Sequence, residues 1–175
     1  MTGNRRFVLD SDVLISAKNL HYRPVYCEAF WDWVLHAHQV GTLISIDKVR
    51  DELQTGRQDD ALYAWSRRPE LSDFFVPSKP AASQWSRLAT WATSRAPAYL
   101  QAAVDKFLDV KSADAWLIAY AASQENVTVV TNEKAEPLSR KSIKLPDAAA
   151  ALGVRTTTLF ELLQQHARGT FSFKF

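Results

Sequence analysis

The chain has 175 residues, a net charge of +2 and a hydrophobic content of 47%. This length suits one domain with a sizeable core, and the composition excludes wholesale disorder. The charge is too small to indicate nucleic-acid binding by itself. The single cysteine, Cys27, excludes an internal disulfide, and no apolar run reaches the length of a membrane span. Because Asp10 and Asp12 interrupt any signal-peptide core, we expect a soluble, cytoplasmic protein.

The first predicted element is a short strand that ends in an aspartate. Residues 7–9 form an apolar run typical of a strand buried on both faces, and Asp10 follows directly. Open α/β sheets bind their ligands at the carboxyl ends of the strands, so Asp10 is a candidate functional residue. Ser11 or Asp12 can cap a helix that begins near Val13. Asp12 is therefore open to either reading, a helix cap or a site residue.

The next three elements place a glutamate beside the sheet. The spacing of apolar residues predicts an amphipathic helix over 25–39, and residues 42–46 predict a second strand. In the helix that follows, Val49 and Leu53 face inward, and Glu52 lies at the border of that buried face. Glu52 is either a site residue or an ordinary solvated helix glutamate.

The middle of the chain predicts a cover for the sheet and offers no chemistry. Residues 59–60 open another helix, and residues 74–76 form a short strand or a packed loop. The pattern over 79–110 is helical and is split at Pro97. We expect these helices to pack on the sheet.

A second informative segment runs over 111–122. Ser112 is a predicted N-cap, which places Asp114 in the first turn of a helix, near the positive end of its dipole. Apolar residues three, four and seven positions further on share the face of Asp114. A carboxylate on a buried face needs a partner. The alternative is a first-turn aspartate that the helix dipole stabilises.

The strand predicted over 127–130 repeats the pattern of the first strand. Its apolar, β-branched run is followed by Thr131, Asn132 and Glu133, so a carboxylate again comes just after the carboxyl end of a strand. Glu133 is therefore a further candidate for the same edge of the sheet.

The remaining predicted elements complete an alternation of strands and helices. Residues 143–145 are a candidate strand, Asp147 caps a small helix, and residues 154–158 and 159–166 form a final strand and helix. The tail over 170–175 alternates aromatic and polar residues and is a candidate added strand.

This alternation predicts one domain over 1–175, a three-layer α/β/α fold with a central, mainly parallel sheet. Such a sheet brings Asp10, Glu52, Asp114 and Glu133 to one edge. Two carboxylates about 4 Å apart repel each other by about 4 kcal/mol at an effective dielectric constant of 20. A divalent cation removes this repulsion, and an all-oxygen set of ligands suits Mg²⁺ or Mn²⁺.

Four segments in this order resemble the PIN-domain nucleases. The closest likeness is to a PIN-like branch that is described only as a domain of unknown function and is related to VapC toxins. The resemblance covers nearly the whole chain and is carried by residues 8–15, 49–53, 114–119 and 129–133.

The resemblance implies a metal-dependent endoribonuclease, with Asp10, Glu52, Asp114 and Glu133 as the acidic cluster that binds Mg²⁺ or Mn²⁺. Asp10 and Asp114 would be the main metal ligands, and Glu52 or Glu133 would serve as the general base. The wider superfamily usually carries aspartate where this chain has Glu133, which leaves a direct contact between Glu133 and the metal open.

The resemblance also assigns supporting residues and partners. Asp12 lies where these proteins often have asparagine, Thr131 lies where they have a site hydroxyl, and Asn132 stands next to it. The expected partners are the RNA substrate and a cognate antitoxin that blocks the site, and a homodimer is left open. Basic residues that flank the acids in sequence would hold the RNA backbone: Lys48, Arg50, Lys111 and Lys134.

Two rival functions remain. Asp10 and Asp12 after an apolar strand also open phosphatases of the haloacid dehalogenase type, in which the first aspartate is a nucleophile. That fold needs a later lysine, for which Lys144 is available, and an acidic pair that the sequence does not offer. The other rival is a non-catalytic PIN-like module that binds nucleic acid or protein.

Overall fold

In the computed structural model, which describes residues 5–169, a five-stranded sheet has all its strands parallel, in the order β3-β2-β1-β4-β5. This architecture confirms the predicted α/β/α fold, with helices packed on the sheet. The strands are β1 (Arg6–Leu9), β2 (Leu43–Ile46), β3 (Phe75–Val76), β4 (Val127–Val130) and β5 (Arg155–Thr157).

Helices connect the strands and cover the sheet. They are α1 (Ser11–Ser16), α2 (Glu28–Gln39), α3 (Asp47–Gln54), α4 (Ala61–Trp65), α5 (Ala82–Ser94), α6 (Gln101–Phe107), α7 (Asp114–Ala122), α8 (Leu145–Ala151) and α9 (Leu159–His166). A π-helical segment, Ala17–His21, continues α1. The predicted split at Pro97 lies between α5 and α6, where the Ala96–Pro97 peptide bond is cis. Across residues 5–169, no helix combines the length and apolarity that a membrane crossing requires.

The central strand β1 determines where the functional edge lies. Its residues Phe7, Val8 and Leu9 are almost completely buried because helices cover both faces of the sheet. Leu9 pairs with Val130, so the carboxyl ends of β1 and β4 lie side by side. The residues that follow these two strands, Asp10 and Thr131, are therefore neighbours across the sheet.

The helix starts differ from two of the predictions. Helix α1 begins at Ser11 with Asp10 in the N-cap position, and Asp12 is an exposed first-turn residue, so neither Ser11 nor Asp12 caps the helix. Helix α7 begins at Asp114 with Ala113 in the N-cap position, so the prediction that Ser112 caps it is wrong. A serine hydroxyl stabilises a helix start only when it reaches the free N–H groups of the first turn.

The strand predicted over 143–145 is also wrong. Leu145 is the first residue of α8, and Pro146 occupies the start of that helix, where a missing N–H group is tolerated. Lys144, rather than Asp147, holds the N-cap position, and the Asp147 carboxylate accepts a hydrogen bond from the backbone N–H of Glu136 at 2.9 Å. The strand predicted for the tail over 170–175 lies outside the described residues.

Helix α9 offers a direct test of local stability. Thr158 Oγ1 accepts a hydrogen bond from the backbone N–H of Glu161, and the Glu161 carboxylate accepts one from the N–H of Thr158. Replacing Thr158 with alanine removes half of this capping box, so we expect Thr158→Ala to lower the free energy of unfolding by about 1 kcal/mol in urea titrations. Gln164→Ala, at an exposed position of the same helix, is the control. Equal midpoints for the two variants would contradict the assigned cap.

Candidate active site

Asp10 lies at the end of the central strand with little access to solvent. Its side chain is 3% exposed, and its backbone N–H donates to the carbonyl oxygen of Val130 at 3.1 Å. Thr131 Oγ1 donates to Asp10 Oδ2 at 3.1 Å, and Ser11 Oγ lies 3.5 Å from Oδ1. The polar groups around Asp10 are therefore hydroxyls and further acids, with no ion pair to this carboxylate within residues 5–169.

Burial and neighbouring acids raise the pKa of Asp10 to about 8. Burial has the largest effect, followed by the negative charge of Asp114, with smaller contributions from Asp12 and Glu133. The hydrogen bond from Thr131 acts in the opposite direction because it favours the charged form. Asp10 and Asp114 thus interact through their charges, as the sequence predicted for one acidic edge.

Glu52 connects the start of α1 to the start of α7. Ser11 Oγ donates to Glu52 Oε2 at 2.6 Å, and the backbone N–H of Ala113 donates to Glu52 Oε1 at 2.8 Å. Ser11 has one hydroxyl proton, and the short distance assigns that proton to Glu52 rather than to Asp10. Both oxygens of Glu52 are therefore occupied. The solvated-glutamate alternative for this residue is wrong.

Asp114 is half-buried at the first position of α7. Burial, followed by the charges of Glu52 and Glu133, raises its pKa to about 6, and the charges of Lys106 and Lys144 act in the opposite direction. The structure therefore brings Asp114 into electrostatic contact with each of the other three predicted acids, since Asp10 responds to its charge as well.

Glu133 reaches the same site from the segment after β4. Its backbone N–H donates to Thr131 Oγ1 at 3.2 Å, so one threonine hydroxyl contacts both Asp10 and Glu133. The Glu133 carboxylate accepts a hydrogen bond from the N–H of Leu145 at 2.8 Å and lies 3.6 Å from Lys144 Nζ. These contacts turn Glu133 toward the start of α8.

A cavity of about 110 Å³ opens between α6, α7 and the segment before α8. Asp114 and Glu133 line it together with Lys106, Lys141 and Lys144. A larger groove of about 410 Å³ between α2 and α4, lined by Trp31 and Trp65, includes none of the four acids. Because the smaller cavity adjoins two of the acids, it is the better candidate for a reacting group.

The structure also locates the predicted supporting residues Asp12 and Asn132 and the four predicted RNA-binding residues. The carboxylate of the exposed Asp12 accepts a hydrogen bond from Ser16 Oγ at 3.3 Å, and Asn132 is half-buried between Thr131 and Glu133. The predicted RNA-binding residues are Lys48 and Arg50 in α3, which are half-buried, and Lys111 and Lys134, which are exposed.

Arg50 lines a groove with Asp51 and Arg67 rather than the cavity beside the acids. The cavity beside Asp114 and Glu133 is not lined by Lys48, Lys111 or Lys134. The basic residues that do line it were not among the predicted RNA contacts.

The donor set suits Mg²⁺ or Mn²⁺, although its arrangement is not that of a preformed metal site. Carboxylates and hydroxyls are the oxygen ligands that these ions prefer. In the part of the chain that the structure describes, no three acidic, histidine or cysteine side chains are grouped to hold one ion. Glu52 and Glu133 instead accept backbone hydrogen bonds. Asp10 and Asp114, which accept none, would be the residues to hold a cation.

Sequence reasoning missed Ser11 as the bridge to Glu52 and missed Lys106 and Lys141 of the cavity, and it considered Lys144 only for the phosphatase alternative. The signal for Ser11 was a hydroxyl enclosed between two aspartates at the end of a buried strand; it is 8% exposed. Lys106 and Lys141 lie 35 positions apart in sequence, within segments that gave no motif. Their proximity is a product of the tertiary packing of α6.

Comparison with protein-family models shows that residues 7–170 match a family whose description reads "Domain of unknown function (DUF4411)". No curated protein and no solved structure matches the chain. The matched range includes all four acids, both site hydroxyls and the three lysines of the cavity.

The raised pKa of Asp10 predicts how the stability of the metal-free protein changes with pH. Folded Asp10 keeps its proton up to about pH 8, whereas in the unfolded chain it loses the proton near its ordinary pKa of 3.8. Since the folded state binds more protons between these values, the free energy of unfolding falls as pH rises, by up to about 1.4 kcal/mol per pH unit.

We expect Asp10→Asn to remove most of this pH dependence, because asparagine does not titrate. Urea titrations from pH 5 to 8 in EDTA measure it. The control is Asp51→Asn, which changes an exposed carboxylate of α3. If wild-type protein and Asp10→Asn lose stability in parallel over this range, the burial of a protonated Asp10 is wrong.

Proposed function

The chain belongs to the DUF4411 family, and from the chemistry of its acidic site we propose that it is a metal-dependent endoribonuclease. The observation that carries this proposal is the convergence of Asp10, Glu52, Asp114 and Glu133 at the carboxyl edge of the sheet. Hydrogen bonds support it, because Thr131 Oγ1 contacts both Asp10 and the backbone N–H of Glu133, and Ser11, the residue after Asp10, donates to Glu52. The resemblance to PIN-domain nucleases, which assigned the same four residues, supports the choice of RNA.

The proposed reaction divides the four acids into two pairs. Asp10 and Asp114 would hold Mg²⁺ or Mn²⁺, which when bound lowers the pKa of a water and neutralises charge on the scissile phosphate. Glu52 would position the site, because its two oxygens fix the starts of α1 and α7. Glu133 would face the substrate, because it lines the cavity beside Asp114.

Hydrolysis forms a P–O bond to a water oxygen and breaks the P–O bond to a ribose oxygen, which takes up a proton from solvent and leaves as a hydroxyl group. Glu133 is the better candidate for the general base that accepts a proton from the water. Among residues 5–169 its Oε1 atom accepts no hydrogen bond and has an ion-pair contact to Lys144 at 3.6 Å, whereas both Glu52 oxygens accept hydrogen bonds. Thr131 would hold Asp10 and the backbone of Glu133 in a fixed relation during this step.

We further propose, on the resemblance to VapC toxins, that the protein is the toxin of a type II toxin–antitoxin pair. A cytoplasmic antitoxin encoded beside it would then cover the acidic site. This part of the proposal concerns regulation and leaves the chemistry of the site unchanged.

Substitution of Asp114 separates a catalytic role from an architectural one. Removing its charge relieves repulsion among the acids, so we expect metal-free Asp114→Asn to be at least as stable as wild-type protein at pH 8. We expect Mn²⁺ to raise the melting temperature of wild-type protein, Ca²⁺ to do so less, and Asp114→Asn to respond weakly. RNA cleavage should fall at least about 100-fold.

The measurements are melting curves in EDTA and in millimolar Mn²⁺, together with cleavage of a labelled single-stranded RNA. Asp51→Asn again serves as the charge-matched control and should behave as wild type. If Asp114→Asn is destabilised in EDTA and still cleaves RNA at the wild-type rate, Asp114 is only a helix residue that the helix dipole stabilises.

A test in cells addresses the proposed RNA target directly. Brief expression of wild-type protein should generate new RNA ends at defined sites, and expression of Asp114→Asn should not, because the site would lose a metal ligand. Sequencing of RNA 5′ ends measures both. Identical ends in the two cultures would contradict ribonuclease activity. A phosphate bound covalently to Asp10 would indicate phosphatase chemistry instead.

A further inference from the structure

Three lysines from two separate segments meet at the cavity beside Asp114 and Glu133. Lys106 lies in the last turn of α6, whereas Lys141 and Lys144 lie in the segment that leads into α8. The cavity is therefore lined by three positive and two negative side chains. Lys106 and Lys144 are close enough for their charges to act on Asp114.

The three lysines differ in their partners. Lys144 is half-buried and lies 3.6 Å from Glu133 and 3.9 Å from Glu136, so its charge is already compensated. Lys106 and Lys141 are exposed, and within residues 5–169 neither ammonium group has a carboxylate oxygen within 4.0 Å. These two positive charges are available to a ligand from outside the chain.

The size and walls of the cavity limit what that ligand is. The cavity has a volume of about 110 Å³. This is room for a phosphate group but not for a nucleotide base with its sugar, since pockets for whole small molecules start near 300 Å³. Buried Ala103, Phe107 and Ile143 form an apolar wall, which strengthens the attraction between the lysines and an anion.

We infer that this cavity is a phosphate subsite, in which Lys106 and Lys141 bind an RNA backbone phosphate next to the one that is cleaved. The inference rests on the proposed function for the identity of the ligand. Asp114 and Glu133 would repel a phosphate that entered without the lysines. A phosphate held by the lysines would place the neighbouring phosphodiester bond beside Asp114 and Glu133, which line the same cavity. Lys144 would position Glu133 rather than bind RNA.

The test compares RNA binding by wild-type protein and by Lys106→Ala/Lys141→Ala. Binding of a fluorescein-labelled 12-nucleotide single-stranded RNA is measured in EDTA, where cleavage does not contribute. Each lost phosphate contact lowers the slope of log K against log salt by about 0.7 for single strands. Because both lysines contact the same phosphate, we expect the slope of the double variant to be smaller by about 0.7. Its affinity at low salt should be correspondingly weaker.

Two further variants serve as controls. Arg155→Ala removes an exposed positive charge from the first residue of β5, at the amino ends of the strands rather than at their carboxyl ends. It should leave the slope unchanged. Lys106→Arg/Lys141→Arg keeps both charges and should restore most of the binding. A wild-type slope in the alanine double variant, or no RNA binding by wild-type protein at low salt, would overturn the subsite.

The outcome for the subsite is distinguishable from the outcome for the reaction. If wild-type protein cleaves RNA in Mn²⁺ but the alanine double variant keeps the full salt slope, the subsite is wrong and the ribonuclease assignment stands. If binding depends on both lysines but no RNA is cleaved, the subsite stands and the proposed reaction is wrong.

Discussion

The burial of one carboxylate, that of Asp10, is the constraint on which the site depends. A buried carboxylate is unfavourable unless polar groups receive it. Here Thr131 comes from the segment after β4 and contacts Asp10 directly, while Ser11 is the adjacent residue of the chain. Ser11 in turn binds Glu52, and Glu52 binds the start of α7. A single chain of polar contacts thus joins four elements that meet at one edge of the sheet.

The positions of the four acids follow from the topology, and this is why the sequence predicted them. In a parallel sheet the residues just after the strands share one edge, whatever the details of packing. Asp10 and Glu133 are placed by β1 and β4, and Glu52 and Asp114 by the helices α3 and α7. The apolar runs that mark these elements are local features, so they are readable without the structure.

The predictions from sequence fail where the contacts that determine the local structure join residues that are distant in sequence. Residues 143–145 resemble a strand locally, but Pro146 and the hydrogen bond from Leu145 N–H to Glu133 favour a helix start. Lys106 and Lys141 are brought together by the packing of α6 near the segment before α8, which no local pattern encodes. Topology was therefore predictable, whereas the lining of the cavity was not.

The hydrogen bond between Asp10 and Thr131 spans 121 positions of the chain. A ribosome therefore adds Thr131 to the chain 121 residues after Asp10. Until β4 emerges and pairs with β1, Asp10 lacks the hydroxyl of Thr131 that donates a hydrogen bond to its carboxylate, and Glu133 has not yet been made. Nascent chains that stop before β4 therefore contain Asp10, Glu52 and Asp114 without Thr131 and Glu133. The acidic site can therefore assemble only after the segment that follows β4 has been made.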